Sequence, residues 1–541
     1  MRCASSGASP ARGRRRGSCS SSPAAVEVEH LELAGRADRE GELPLEAAMR
    51  WPLGELSRLP TALLAAGLAA EGRLDLDRPL ADWIGPEELD FDPARLSLRD
   101  LLAQRSGLPP QRLAGAYRRP GEPASALRPE DFYLAQPPRL LIQPSALGYA
   151  LVGRVLERAS GKGFAELLKE RLAEPLGLRA LGAVEEGGLV RAHRRGRPEA
   201  PLLARDLAAT GLAASAEDLA RLLAALTAPE PTLPGRDLLF EPHGAELGFG
   251  ATAGLGLALS ESVVPGTGRL ARIQGAYPGF RAELTLALDH GVAVLVLVNA
   301  AEGFRVVDRL AGLALDRALG RDPAAREAAR RAREELPERI PWPEEARPRA
   351  PAPRYATPFG LLRVEGGGER FAAEVFGLRF TASRRADGWY EVRYRLLGLV
   401  PLPLEVLRRV VLAPATVGER HLLLAWFSGR VVVLGSALEA PPAAGDGVAL
   451  LGRWRVTAED PLLAQLELRE AVIERQDGLL TIGYEIPFLV TRLRPRLVLA
   501  ADPAGLRTHG TAAGLGERLR HGRDEAGEFL EYSGFRLRRV P

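Results

Sequence analysis

Residues 281–299, RAELTLALDHGVAVLVLVN, contain the pattern that decides the fold of the first half of the chain. Their first part alternates polar and apolar side chains, as a strand with one buried face does. Residues 289–291, Asp-His-Gly, supply a turn with His290 at its centre. The apolar run at 292–298 suits a strand that is buried on both faces. We therefore predict a β-hairpin.

Helical patterns surround this hairpin. Apolar side chains recur at helical spacing over residues 149–156 and again over 164–172. A domain that mixes such helices with antiparallel strands belongs to the α+β class. We predict that this domain spans residues 26–320.

The segment that follows has the composition of a linker. Residues 321–354 are dense in charge, and we predict a helix over 323–335. Six prolines then follow within 17 residues, between Pro337 and Pro353. Such a succession of prolines is typical of a linker, which we predict over residues 321–354.

Beyond the linker, residues 355–541 are predicted to be all-β. Short runs with strand propensity are separated by Gly, Pro and Asp, a pattern typical of an antiparallel barrel or sandwich, and the length allows more than one such unit. The runs lie at 373–380, 389–395, 421–427, 452–456 and 479–486. Five aromatic residues in this region are expected to fill a core, with an aromatic-lined cavity as the alternative: Trp389, Tyr390, Tyr394, Trp426 and Trp454.

Composition excludes several classes of function. The chain has 541 residues, and its 72 Lys plus Arg against 69 Asp plus Glu give a net charge of +3, which is too small to indicate nucleic-acid binding. Only Lys162 and Lys169 are lysines. The longest apolar stretches, at 61–70 and 291–298, are too short to cross a bilayer, so no membrane span is predicted.

The first 25 residues form an Arg- and Ser-rich tail, predicted to be disordered. No apolar segment follows the basic run, so no signal peptide is detected. Both cysteines, Cys3 and Cys19, lie in this tail, which leaves no disulfide framework or cysteine-ligated metal site elsewhere. The sequence does not indicate a compartment.

Several segments of the first domain resemble, in order, those of the β-lactamase-related serine hydrolases, which include class C β-lactamases, penicillin-binding-protein-like peptidases and esterases. The resemblance covers most of residues 35–320. The segments are GRAD at 35–38, LAAEGRLDLDRPL at 68–80, LRDLLAQRSGLP at 98–109, GYALVG at 148–153, PLGL at 175–178, TGL at 210–212, AEDLA at 216–220 and PGF at 278–280. The resemblance implies a transpeptidase-like α+β domain. The strand-rich region after it is similar to the lipocalin-like barrels that some members carry beside the cleft.

The resemblance also locates the catalytic motifs. The family uses a serine and, three residues later, a lysine on the same helix face. At these positions this chain has Glu55 and Arg58. A guanidinium keeps its proton near neutral pH, so Arg58 is unsuited to act as a base. We expect a local ion pair between the two, and Pro60 predicts that the helix begins late.

The other two motifs are altered as well. Where the family has Tyr-x-Asn, this chain has Pro144 and Ala146, which offer neither a phenol nor an amide. Where the family has Lys-x-Gly or His-x-Gly, this chain has Ile273 and Gly275, so only the glycine is kept. The resemblance therefore implies a pseudoenzyme without catalytic residues, acting as a binding or scaffolding module.

The alternatives are an active serine hydrolase, an esterase or peptidase, whose nucleophile has moved to Ser57, Ser106 or Ser145, or a carboxylate role for Glu55. The histidines show no zinc-binding spacing, and no phosphate-binding loop is present, so neither a metal nor a cofactor is predicted. The expected partner is an unidentified small molecule or peptide in the cleft. Members of the family are often extracytoplasmic.

Overall fold

The computed structural model of the chain describes residues 28–262, 266–322, 324, 328, 336–376, 378–396, 400–401, 410–427, 429–443, 445–457, 459–466, 468–488 and 491–540. The predicted tail at 1–25 lies outside these residues. So does most of the predicted helix at 323–335.

The first domain contains eight α-helices among the described residues. They are α1 (Arg58–Ala70), α2 (Leu98–Leu102), α3 (Ala146–Ser160), α4 (Phe164–Leu168), α5 (Glu174–Leu176), α6 (Leu207–Thr210), α7 (Ala216–Thr227) and α8 (Phe304–Ala318). The predicted helical stretch at 164–172 becomes α4 followed by a π-helical turn at Lys169–Ala173. Helices α1 and α3 form the centre of the core, where Ala62, Ala65 and Leu151 have no exposed surface.

Fourteen strands accompany these helices in the described part of the domain. They are β1 (Arg36–Asp38), β2 (Leu43–Pro44), β3 (Arg50–Pro52), β4 (Tyr117–Arg118), β5 (Gly182–Ala183), β6 (His193–Arg194), β7 (Arg197–Pro198), β8 (Leu203–Ala204), β9 (Leu212–Ser215), β10 (Thr252–Ala253), β11 (Ala258–Glu261), β12 (Arg269–Tyr277), β13 (Phe280–Ala287) and β14 (Val292–Val298). The main sheet has the antiparallel order β10-β11-β12-β13-β14. The predicted α+β class is confirmed.

The hairpin predicted at 281–299 is formed by β13 and β14, which pair from Arg281 with Val298 to Ala287 with Val292. His290 ends the connecting turn, and its Nε2 lies 3.0 Å from the carbonyl oxygen of Gly266. The prediction that the second strand, β14, is buried on both faces was wrong. All residues of β14 except Val294 are only half-buried, because β14 is the edge strand of the sheet.

The described part of the C-terminal half contains two barrels. The first has strands β15 (Ala346–Pro348), β16 (Arg354–Thr357), β17 (Gly360–Gly367), β18 (Arg370–Val375), β19 (Leu378–Arg384), β20 (Tyr390–Leu396), β21 (Val400–Pro401), β22 (Val410–Val417), β23 (Arg420–Phe427) and β24 (Arg430–Ala437). Eight of them close a ring through the pairing of β20 with β22, while β15 and β21 flank it. The predicted single strand at 373–380 is wrong, because Phe376, with φ of 60°, turns the chain between β18 and β19.

The second barrel is also closed and antiparallel. Its eight strands are β25 (Gly452–Val456), β26 (Glu470–Gln476), β27 (Leu479–Tyr484), β30 (Arg496–Asp502), β31 (Gly505–Thr508), β32 (Arg518–Asp524), β33 (Gly527–Tyr532) and β34 (Phe535–Arg539). A hairpin of β28 (Ile486–Phe488) with β29 (Thr491–Leu493) and the short helix Pro461–Leu466 are added to it. The predicted run at 479–486 therefore ends two residues early, at Tyr484.

The expectation that aromatic residues fill the barrel interiors is confirmed for two of them: Tyr390 is buried inside the first barrel and Trp454 inside the second. It is wrong for Trp389 and Trp426, which are buried on the outside of the first barrel in a cluster with Leu140 of the first domain. The side chain of Tyr394 lies outside the described residues. Side chains fill the interior of an eight-stranded barrel when bulky residues point inward, which is the arrangement observed here.

The second barrel packs on two segments of the first domain, the loop at residues 109–116 and the segment around Gln136. Ala114 N donates a hydrogen bond of 3.0 Å to the carbonyl oxygen of Ser533, and Gly115 N donates one of 3.1 Å to Asp460 Oδ2. Gln136 Nε2 donates to the carbonyl oxygens of Gly510 and Leu515. This loop leads directly into β4, so the barrel helps to fix the position of Tyr117.

Candidate functional site

The candidate site lies where β12 crosses a 3₁₀ turn, Gly54–Ser57, that precedes α1. The backbones approach closely here. A Cβ atom added at Gly54 would lie 2.3 Å from the carbonyl oxygen of Ala276, and one added at Gly275 would lie 2.9 Å from the carbonyl oxygen of Leu53. Gly54 also has φ of 53°. Glycine is therefore required at both positions for the turn and the strand to meet.

Glu55 points from this turn toward β12. Its Oε2 accepts a hydrogen bond of 2.5 Å from the backbone N–H of Ala276. A backbone N–H aimed at such a position is the type of donor that stabilises a developing oxyanion in acyl-transfer enzymes. In this chain the Ala276 N–H already donates to a carboxylate of the same molecule, that of Glu55.

Arg58 begins α1 and is 9% exposed. Its Nε is buried without a hydrogen-bond partner. The expected ion pair with Glu55 is wrong: among the described residues no carboxylate lies within 4.0 Å of the Arg58 nitrogens. The Glu55 carboxylate is instead drawn to the backbone of β12. Burial lowers the pKa of Arg58, and the charge of Glu55 offsets part of that effect.

Pro60 lies in the first turn of α1, where its missing N–H costs nothing. The late helix start predicted from this residue agrees with the structure, because the helix begins at Arg58 and Glu55 lies in the turn before it.

Pro144 and Ala146 lie at the start of α3. Pro144 is exposed, while Ala146 is buried in the core. Helix α3 packs against α1, and the guanidinium carbon of Arg58 lies 5.8 Å from the centroid of the Tyr149 ring. The start of α3 therefore contributes apolar surface, and the aromatic ring one turn later contacts the cation.

Ile273 and Gly275 lie on the same face of β12. Ile273 is 5% exposed and pairs with Leu284 in the sheet, so its aliphatic side chain belongs to the core. The structure brings Glu55, Gly275 and the backbone of β12 into direct contact. That the six positions Glu55, Arg58, Pro144, Ala146, Ile273 and Gly275 correspond to the catalytic positions of the family stays a prediction.

The three serines considered as displaced nucleophiles are buried and take part in backbone hydrogen bonds. Ser57 Oγ accepts from Leu212 N at 3.1 Å. Ser106 Oγ accepts from Leu108 N at 3.3 Å. Ser145 caps α3 by accepting from Gly148 N at 3.0 Å, and it donates to the carbonyl oxygen of Pro109 at 2.6 Å. Each hydroxyl has a structural role in these contacts.

Sequence analysis missed two phenols near the site, Tyr117 and Tyr149. Burial raises the pKa of both, and the negative charge of Glu55 raises that of Tyr117 further. Tyr149 OH donates to the carbonyl oxygen of Leu102 at 3.0 Å. Phenols with a raised pKa stay protonated near neutral pH, so neither is suited to act as a base. Tyr149 belongs to the quoted GYALVG segment, whereas Tyr117 had no sequence signal.

The described residues contain no group of three or more His, Cys, Asp and Glu side chains placed to hold a metal ion. None of the described helices is both long and apolar enough to cross a lipid bilayer.

The candidate site offers a backbone N–H donor, a buried guanidinium and aromatic walls. These groups suit the binding of an anion better than proton transfer.

Comparison with known proteins agrees with this fold. A family model described as Beta-lactamase matches residues 25–318, which is more than half of the 541 residues. The chain is 31% identical over 198 residues to Esterase EstB from Burkholderia gladioli, an alignment that covers 33% of this chain and 50% of the esterase. The chain thus spans about half the length of this curated relative.

Two solved structures align with much of the chain. The crystal structure of SurE aligns with a TM-score of 0.49 and 22% identity, covering 74% of this chain and 90% of SurE. The octameric penicillin-binding protein homologue from Pyrococcus abyssi aligns with a TM-score of 0.47 and 19% identity, also covering 74% of this chain and 90% of the homologue.

Proposed function

Because this chain belongs to the β-lactamase family, we propose that its first domain is a binding or scaffolding module that does not hydrolyse substrates. The observation that carries the proposal is the hydrogen bond from Ala276 N–H to the Glu55 carboxylate. A negatively charged side chain at this donor opposes the build-up of a second negative charge there, which acyl transfer requires.

The proton-transfer groups support the same proposal. Arg58 and the two phenols, Tyr117 and Tyr149, hold their protons near neutral pH. Ser57, Ser106 and Ser145 are buried in backbone hydrogen bonds. A serine hydroxyl is a weak nucleophile unless a neighbouring base removes its proton.

A second candidate function is an active serine hydrolase with a relocated nucleophile. The similarity to an esterase over 198 residues favours it. It requires that one of the three buried serines leave its backbone partner and meet a base, which is a larger rearrangement than binding alone requires.

Covalent labelling of the purified full chain separates the two. We expect no adduct with a fluorescent fluorophosphonate or a fluorescent penicillin, and no turnover of nitrocefin or p-nitrophenyl acetate above a heat-inactivated sample. An adduct that mass spectrometry maps to Ser57, Ser106 or Ser145 would overturn the proposal. Matched Ser→Ala variants at the three positions identify which serine reacts.

A further inference from the structure

Arg58 is a buried cation that forms no ion pair with a carboxylate in the part of the chain that the structure describes. Its side chain is nine-tenths buried, and its Nε has no hydrogen-bond partner. Arg205 offers a contrast: its side chain is 6% exposed, and it lies 2.7 Å from the Asp206 carboxylate. Burying a charge is expensive unless an opposite charge and hydrogen bonds compensate for it. The position of Arg58 therefore favours an anion beside it.

The surroundings of Arg58 define which anion fits. The Tyr149 ring lies on one side of the guanidinium. Glu55 is close enough for its negative charge to raise the pKa of Arg58. Ala276 N–H points at the Glu55 carboxylate. The Glu55 carboxylate thus has both donors in its neighbourhood, the N–H by a hydrogen bond and the guanidinium through its charge. A guanidinium and a backbone N–H together suit the two oxygens of a carboxylate.

Glu55 binds only one of these two donors, the N–H of Ala276. Its carboxylate is bound to Ala276 N–H and forms no ion pair with Arg58 within the described part of the chain. We infer that the site binds a small external monocarboxylate between Arg58 and Ala276 N–H, and that Glu55 is an internal competitor which the ligand displaces. This inference rests on the proposed function, since it requires a cleft that binds without hydrolysis.

The charge of Glu55 selects against more highly charged anions. A dianion such as phosphate meets twice the repulsion from this carboxylate that a monoanion meets at the same distance. The contact with Glu55 also demonstrates that the Ala276 N–H can donate a hydrogen bond to a carboxylate oxygen.

Acetate titrations of the full chain at constant ionic strength test the inference, with phosphate as the second probe. We expect Glu55→Ala to bind acetate about tenfold more tightly than the unaltered chain, because the internal competitor is gone. Arg58→Leu, alone or with Glu55→Ala, should lose acetate binding. The exposed residues Glu525 and Arg95 provide charge-matched controls as Glu525→Ala and Arg95→Leu, which should leave acetate affinity unchanged.

Acetate binding that survives Arg58→Leu would overturn the inference. So would a Glu55→Ala variant that binds acetate no better than the unaltered chain, or an unaltered chain that binds phosphate more tightly than acetate. Melting curves for every variant exclude loss of folding as the cause. Turnover of p-nitrophenyl acetate, measured on the same samples, tests the proposed function separately. Turnover by the unaltered chain overturns that function, whereas absent acetate binding without turnover overturns only the present inference.

Discussion

The carboxylate of Glu55 accepts a hydrogen bond from the backbone N–H of Ala276, 221 residues further along the chain. The contact joins the turn before α1 to the central strand β12 and places a negative charge on the donor of the candidate site. Arg58, three residues after Glu55, is left without an ion-pair partner among the described residues. This arrangement has consequences for stability and reactivity that can be measured.

The first prediction concerns the unpaired cation. Arg58→Leu should raise the free energy of unfolding by about 1 to 4 kcal/mol, because it removes a buried charge that forms no ion pair among the described residues and that Glu55 offsets only in part. Chemical denaturation measures this change. Arg205→Leu is the matched control: Arg205 is equally buried but paired with Asp206, so its loss should destabilise by about 3 to 5 kcal/mol. Destabilisation by both variants would mean that Arg58 has a partner in solution.

The second prediction concerns the close approach of the two backbones. Gly54→Ala should destabilise the chain by about 3 kcal/mol, since the new methyl group meets the Ala276 carbonyl and the residue has positive φ. Gly72 also has positive φ, but no atom lies within 4 Å of the place that an alanine methyl group would occupy there. Gly72→Ala should therefore lower the free energy of unfolding by only about 1 kcal/mol. If Gly54→Ala and Gly72→Ala lowered the melting temperature equally, the predicted clash with the Ala276 carbonyl would be contradicted.

The third prediction concerns the chemistry that the scaffold still supports. The double variant Glu55→Ser with Arg58→Lys should react with a fluorophosphonate about a hundredfold faster than the unaltered chain. It places a hydroxyl beside Ala276 N–H and an amine whose pKa burial lowers, so that the amine becomes available as a base.

Glu55→Ser alone is the control for this experiment. It keeps the protonated guanidinium of Arg58 and should therefore label no faster than the unaltered chain. Equal labelling of the single and double variants would show that position 58 is not placed to act as a base. Peptide mapping must locate the adduct at position 55.

The fourth prediction concerns pH. Burial raises the pKa of Glu517 from its ordinary 4.5 to about 7, although the Tyr532 hydroxyl donates to it. The folded chain therefore holds the Glu517 proton more tightly than the unfolded chain does. Protonation of Glu517 stabilises the folded chain fully below pH 4.5, and this stabilisation is lost as the pH rises toward 7.

Thermal unfolding of Glu517→Gln between pH 4.5 and 8 measures this contribution. The unaltered chain should lose stability relative to the variant over that range. Glu525→Gln, at an exposed position on the same barrel, should follow the unaltered chain. Parallel melting curves for the unaltered chain and Glu517→Gln would contradict the raised pKa.

Several features could be predicted from the sequence because they depend on local spacing. The β13–β14 hairpin follows from alternation and a turn within 19 residues. The start of α1 follows from Pro60, and the α+β class follows from the mixture of helical and strand patterns. The ordered motifs alone also led to the prediction, still untested, that Glu55 and Arg58 stand where the family has serine and lysine.

The sequence therefore determined the type of fold and the identities of the residues in the candidate site. Only the tertiary structure decided what those residues contact. Local spacing predicted that Glu55 would pair with Arg58, but β12 brings a backbone donor closer to Glu55. Tyr117 reaches the site through a loop that the second barrel holds. Such contacts join residues hundreds of positions apart, and their geometry depends on how sheets and helices pack, which short-range periodicity does not encode.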